Sequence, residues 1–298
     1  MSQFNRAPLV RPALAREIAP GVLVLPDQHI DLVPNIGIVI GTDAVLVVDC
    51  GLGKANGELV RNFAREVAGS KPVLLTTTHF HPEHAFGSQA FRGYATILTN
   101  ITQADELRDK GGFFLTLFRD LGPDAREALE GTEVVMPDET YEGERTIDLG
   151  GKQVILRELA GHTRGDQIVF LPREQVLFTG DLVENRLFPI FPDQDAHGKQ
   201  WIEALAHMIR LSPATVVPGH GELGTVELLQ EFQDHLTFVR QEVNQRVNQG
   251  QPLELIDQEA ARIIKERYQE WGNDMWIPLA IRNIYAELTG TPLALPSF

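Results

Sequence analysis

Residues Thr76-Thr77-Thr78-His79-Phe80-His81-Pro82-Glu83-His84 gather three histidines and a carboxylate into six positions, in a chain that has nine histidines in 298 residues. The run before them, Lys71-Pro72-Val73-Leu74-Leu75-Thr76, is short, β-branched and apolar, the pattern of a buried strand. The cluster therefore stands where a strand gives way to a loop. A loop can aim several side chains at one centre, whereas successive residues of a strand point to opposite faces. Neutral imidazoles with one carboxylate suit zinc and also accept iron or manganese. The plainer alternative is a set of surface histidines on a polar loop.

Three later fragments repeat this grammar of a strand that delivers a donor. Gly161-His162-Thr163-Arg164-Gly165-Asp166 follows the apolar run Val154-Ile155-Leu156 and contains glycines that let the backbone turn tightly. Val176-Leu177-Phe178-Thr179-Gly180-Asp181 ends on a carboxylate, and Val216-Val217-Pro218-Gly219-His220-Gly221 brings a histidine. Each fragment alone is a weak signal; four of one kind make a strong one. His29, His197, His207 and His235 have no partner motif and read as surface or hydrogen-bonded residues. Among these, His197 closely follows Asp193-Gln194-Asp195-Ala196 and is the one to watch.

In this order the fragments resemble the metallo-β-lactamase-fold superfamily over roughly residues 18 to 222. Its His-x-His-x-Asp-His motif, later His, bridging Asp and final His are matched by His79, His81, Glu83, His84, His162, Asp181 and His220. The resemblance implies an α/β fold, a four-layer αββα sandwich over residues 1–224 with the metal site at one edge of its two sheets, and a C-terminal helical extension over 225–298. It implies one metal held by His79, His81 and His162 and a second by Glu83, His84 and His220, with Asp181 between them. Val45-Leu46-Val47-Val48-Asp49-Cys50-Gly51 looks like the family's first motif, whose aspartate, here Asp49, orients ligands without binding metal. Glu83 stands where the family usually has Asp, a residue that is also a candidate proton donor to the leaving group. Its extra methylene bears on both the second metal and the acid step, and Glu83 and Asp181 are the catalytic carboxylates that the resemblance implies.

The implied chemistry is that of a zinc-dependent, binuclear hydrolase, with iron or manganese as alternative cofactors. A metal on three neutral histidines keeps its charge and an open position, so a bound water becomes a hydroxide near neutral pH. That hydroxide would attack a small ester, thioester, lactone or β-lactam, and no protein nucleophile is needed. Cys50, the single cysteine, reads as a small buried hydrophobe. Two alternatives belong beside this: a non-catalytic or regulatory metal-binding member of the fold, and an iron-dependent oxygenase of the same fold.

Composition narrows the partners. With 43% hydrophobic and 22% charged residues the chain is ordinary for a globular enzyme, and no stretch of eighteen apolar residues offers a membrane span. A formal charge of −15 opposes a polyanion, so a small-molecule substrate is expected and a nucleic acid is not. The start of the chain lacks a basic segment followed by an apolar core, and one cysteine forms no internal disulfide; both fit the cytoplasm.

Two regions outside the motifs bear on substrate. Between Asp105 and Gly131, Gly111-Gly112-Phe113-Phe114-Leu115-Thr116-Leu117-Phe118 reads either as a hinged apolar lid, with Phe113 and Phe114 against substrate, or as a helix packed on the core. Arg164 and Arg186 lie beside expected ligands and could hold a substrate carboxylate, or pair with acids such as Asp166 or Glu184. The first sheet and its helices are expected to end near Ile147. After His220, apolar residues at Val226, Leu229, Phe232, Leu236, Val239, Val243 and Val247 step by threes and fours, predicting a long helix closed by Gly250-Gln251-Pro252. Further helices are expected over Leu255 to Trp271 and Pro278 to Leu288, packing on the sandwich, walling the cleft or offering a homodimer surface.

Overall fold

The computed structural model describes residues 7–292. Its first sheet has seven strands in sequence order: β1 (Arg16–Ala19), β2 (Val22–Leu25), β3 (Ile36–Ile40), β4 (Val45–Val48), β5 (Val73–Thr76), β6 (Thr96–Asn100) and β7 (Glu139–Tyr141). The first four pair antiparallel, and β4 to β7 pair parallel through helical crossovers. The crossovers are α1 (Gly53–Ala68), the short α2 (Pro82–Ala85), α3 (Ile101–Asp120) and α4 (Pro123–Ala128).

The second sheet runs in the order β12-β11-β10-β9-β8, from β8 (Glu144–Asp148), β9 (Gln153–Glu158), β10 (Gln167–Leu171), β11 (Val176–Glu184) and β12 (Thr215–His220). Its strands pair antiparallel except β11 with β12. The change of sheet falls between Tyr141 and Glu144, slightly before the expected Ile147, because β8 forms a hairpin with β9.

Alternation along the strands accounts for the layers. In β4, Leu46 and Val48 face Val154, Leu156, Val169, Phe178 and Val217 of the second sheet, while Val45 and Val47 join Val60, Ala64 and Ala68 of α1 on the outer face. Ile168, Phe170 and Leu177 face outward from the second sheet. They meet α5 (Gly198–Arg210), through Trp201, Leu205 and Met208, and α6 (Val226–Asn248), through Phe232 and Leu236. The result is the expected αββα sandwich. Helices α7 (Leu253–Arg267) and α8 (Ile277–Thr289) share that outer cluster through Ile256, Ile264, Ile281 and Ile284. Helix α7 stops at Arg267, short of Trp271, and a loop carries Trp271 against Phe188 and Phe232.

Residues Ile101 to Asp120 form one continuous helix, so the double glycine is not a hinge. An added Cβ at Gly111 would stand 2.9 Å from Val134 Cγ1; glycine there lets α3 lie close to the following segment. Of the two readings of this region, the packed helix is the one observed.

Candidate metal centre

The expected donors come from four strands on one edge of the sandwich, three at or beyond a strand end and Asp181 from within β11. The β5 exit supplies His79, His81, Glu83 and His84; the turn after β9 supplies His162; β11 supplies Asp181; the end of β12 supplies His220. They converge as two groups: His79, His81 and His162, all buried, and Glu83, His84, Asp181 and His220.

In the first group His79 Nε2 lies 3.0 Å from His81 Nδ1, which lies 2.9 Å from His162 Nε2. The far nitrogen of His162, Nδ1, is 2.9 Å from the carbonyl of Ile190 and donates to it, so Nε2 turns a lone pair toward the other two rings. Nitrogens held tetrahedrally by zinc stand about 3.3 Å apart, a spacing close to that of these rings, which could hold one ion.

Asp181 stands between the groups. Its Oδ2 is 3.7 Å from His79 Nε2 and 3.8 Å from His162 Nε2, while Oδ1 is 3.2 Å from His84 Nε2 and 3.7 Å from His220 Nε2. Glu83 falls within the second group, so its extra methylene does not carry it out of the cluster. Glu83 Oε2, His84 Nε2 and Asp181 Oδ1 are buried without a hydrogen-bond partner. Because His84 Nδ1 donates to Asp49 Oδ2 at 2.9 Å, its Nε2 is the nitrogen that faces the Asp181 carboxylate, and stripped of its proton it is an acceptor too. Two facing acceptors repel each other unless a proton or a cation sits between them. The residues therefore fit a pair of divalent cations.

The charges agree with that arrangement. Burial, then the neighbouring rings, holds His79 and His81 well below the usual imidazole range, and burial also lowers His162; all three are neutral and free to donate. Burial opposes a charged His84, yet Asp181 and Asp49 outweigh it and raise His84 well above its ordinary value. Against its own burial, Asp181 is drawn well below the carboxylate range by His84 and His220. Burial raises Glu83.

Asp49 lies directly behind the cluster. It sits at φ 65° after β4 and accepts from Thr78 N at 2.7 Å and from Thr78 Oγ1 at 3.0 Å, besides His84. Other supports escaped the sequence reading. Asp166 accepts from the backbone N–H groups of His162 and Thr163, both at 2.9 Å, and so builds the turn that carries His162. Asn35 Nδ2 donates to the carbonyls of Pro218 at 3.0 Å and Gly221 at 2.9 Å, and Asp27 Oδ2 accepts from Gly221 N at 2.7 Å, clamping the His220 turn. Both Asn35 and Asp27 stand in the loop between β2 and β3, where no local feature of the sequence marks them. Gly219 is required by contact: an added Cβ would lie 1.9 Å from Asp181 Oδ1.

The expected substrate residues divide. Phe114 is buried and stacks on His81 at 4.9 Å and 30°, so it supports that ring; Phe113 is 63% exposed beside it. Arg164 pairs with Glu106 and Asp195 at 3.7 and 3.4 Å, and Arg186 with Glu270 at 3.7 Å, in place of Asp166 or Glu184. Asp166 is occupied by its own turn, and Glu184 points inward. Lys110, missed from sequence, ties α3 to the 185–197 loop through Asp193 at 2.7 Å and Asp195 at 2.5 Å. His197 caps α5 and faces Glu287 at 3.4 Å, away from both donor groups. Cys50 is buried, its thiol 3.1 Å from the His84 carbonyl.

Comparison with known proteins agrees with the geometry. The sequence profile of the metallo-beta-lactamase superfamily matches residues 30–220. The acyl-coenzyme A thioesterase MBLAC2 of Homo sapiens is 28% identical over 165 residues, covering 50% of this chain and 58% of that protein, so the match spans little more than half of the relative. A metallo-beta-lactamase from Pontibacter korlensis superposes with a TM-score of 0.60 at 22% identity, covering 75% of this chain and 98% of its own. The sec-alkylsulfatase Pisa1 from Pseudomonas sp. covers 95% of this chain, and 51% of its own, with a TM-score of 0.70 at 15% identity. At such identities these structures speak for the fold alone. Since the profile match takes in every donor from His79 to His220, the chain belongs to the metallo-beta-lactamase superfamily.

Proposed function

We propose that this protein is a metal-dependent hydrolase of small thioesters, esters, lactones or β-lactams. It would hold zinc on His79, His81 and His162 and a second divalent cation on Glu83, His84 and His220, with Asp181 shared. The observation that carries this reading is the Asp181 carboxylate, which turns one oxygen to each donor group. Bound there, the cations supply Lewis acidity and make water a stronger acid.

The protein residues then have separable tasks. Asp49 and Thr78 hold His79 and His84 at fixed angles, and the Ile190 carbonyl does so for His162. Asp181 keeps the two groups in register. Glu83 offers the carboxyl oxygen Oε2 from which a proton passes to the leaving group. Exposed Phe113, beside Phe114, supplies apolar surface for an acyl portion. The human thioesterase relative supports a thioester among the candidates, and the charge of −15 supports a small substrate over a nucleic acid.

A panel of chromogenic thioester, ester, lactone and β-lactam substrates tests the reading. Turnover of at least one should vanish on chelation, return with zinc, and be absent in His81→Ala. Turnover that persists in chelated protein, or in His81→Ala, would refute it.

A further inference from the structure

Strand β11 brings a second acid to this edge of the sandwich. Three residues beyond Asp181, Glu184 lies opposite His220 in the parallel ladder, and Asn185 N donates to the His220 carbonyl at 2.9 Å. Glu184 is only 3% exposed, and its Oε2 has no hydrogen-bond partner. None of the tasks assigned above uses it.

The surroundings make this costly. Glu83, Asp181 and Glu184 are all buried, each with an unpartnered oxygen, and His84 and His220 share the second donor group with Glu83 and Asp181. Among the described residues none of the three acids has a Lys or Arg ion-pair partner; Asp181 pairs with histidines alone. A buried carboxylate left unpaired costs several kcal/mol. A divalent cation among these oxygens would reverse that penalty.

The two donor groups also differ in chemical kind. The first offers three imidazoles and one carboxylate oxygen, a set suited to zinc; the second offers two carboxylates beside two imidazoles, and a third carboxylate there would suit a harder cation. We propose that Glu184 is a further acidic residue of the second cation site, and that beside Glu83 and Asp181 it biases that site toward an oxygen-preferring divalent cation such as manganese over a second zinc. This rests on the reading of Glu83, His84, Asp181 and His220 as a cation site.

The test is direct binding. Protein stripped with chelator and given one equivalent of zinc is titrated with manganese, and free Mn²⁺ is followed by its electron paramagnetic resonance signal. One manganese per chain is expected, with uptake weakened about tenfold or more in Glu184→Gln and the zinc equivalent retained. Glu184→Gln keeps the side-chain shape and removes one of three clustered charges, so the metal-free variant should melt no lower than the parent. Should it fail to fold, Glu184→Asp, which keeps the charge and withdraws the oxygen by one methylene, should weaken uptake in the same direction. Manganese bound equally tightly by parent and variant would overturn the role of Glu184 while leaving the site itself intact. A parent chain that takes up neither metal would overturn the site reading, and this inference with it.

Discussion

Acid should loosen this fold through one histidine that has no part in the metal centre. His235, on α6, is 1% exposed and lies between Tyr268 at 4.5 Å, Trp271 at 4.6 Å and Phe188 at 5.4 Å, with Nδ1 unpartnered. Burial, helped by the charge of Arg267, lowers its pKa to about 3. An unfolded chain would protonate the same ring near its ordinary value of about 6.5. The folded pKa is the lower one, so below about 6.5 the unfolded state binds the extra proton and stability falls with pH. At pH 5 the folded ring is still neutral, and a gap of about 1.5 units at 1.36 kcal/mol each makes the loss about 2 kcal/mol relative to pH 7. His235→Phe keeps the aromatic packing and removes the proton site. Urea unfolding of chelator-stripped parent and variant at pH 7 and pH 5 isolates the effect, because every other titrating group is common to both. The parent should lose about 2 kcal/mol more than the variant. Equal losses would refute the assignment of acid sensitivity to this ring.

Three substitutions probe how the site is held. Gly219→Ala should abolish metal uptake in a chain that still folds, since the new methyl overlaps Asp181 Oδ1; elemental analysis beside circular dichroism checks it, and full metal content would contradict it. Phe114→Ala should cost about 3 kcal/mol of stability and raise KM most for substrates with long acyl chains, as it removes the ring on His81 and Phe80; urea unfolding and a chain-length series would show otherwise if neither moved. Lys110→Met unties Asp193 and Asp195 and leaves the buried Glu106 with the weaker Arg164 contact, so the 185–197 loop should become the first site of limited proteolysis. A digestion pattern like the parent's would count against that latch.

What the sequence made legible was local and covalent in origin. His79, His81, Glu83 and His84 announce themselves because they are crowded, and His162, Asp181 and His220 because each follows an apolar strand and stands among glycines. Asp49 was legible for the same reason, at the end of β4. Helix α6 could be read from its apolar stripe because a helix repeats its contacts every three to four residues. Partners distant in sequence could not be read this way. Arg164 carries no mark that says Glu106 and Asp195 and not Asp166, since the turn around Asp166 consumes that carboxylate in backbone contacts visible only after folding. Asn35 reaches the His220 turn from 183 residues away, and nothing near Asn35 foretells it. The double glycine at 111 misleads because close packing and hinging ask for the same residue; only the presence of Val134 opposite Gly111 decides between them. Glu184 is hidden by a different cause, the irregular register of β11 between Gly180 and its end, which a strict alternation of faces does not predict.

The central claim is that two donor groups sharing Asp181 hold two divalent cations. Elemental analysis of protein purified without added metal, made alongside His81→Ala and Glu83→Asp, tests it most directly. The account predicts two divalent cations per chain, zinc among them, unchanged in Glu83→Asp and reduced to one or none in His81→Ala. A chain that carries no metal, or one whose content is untouched by His81→Ala, would contradict it.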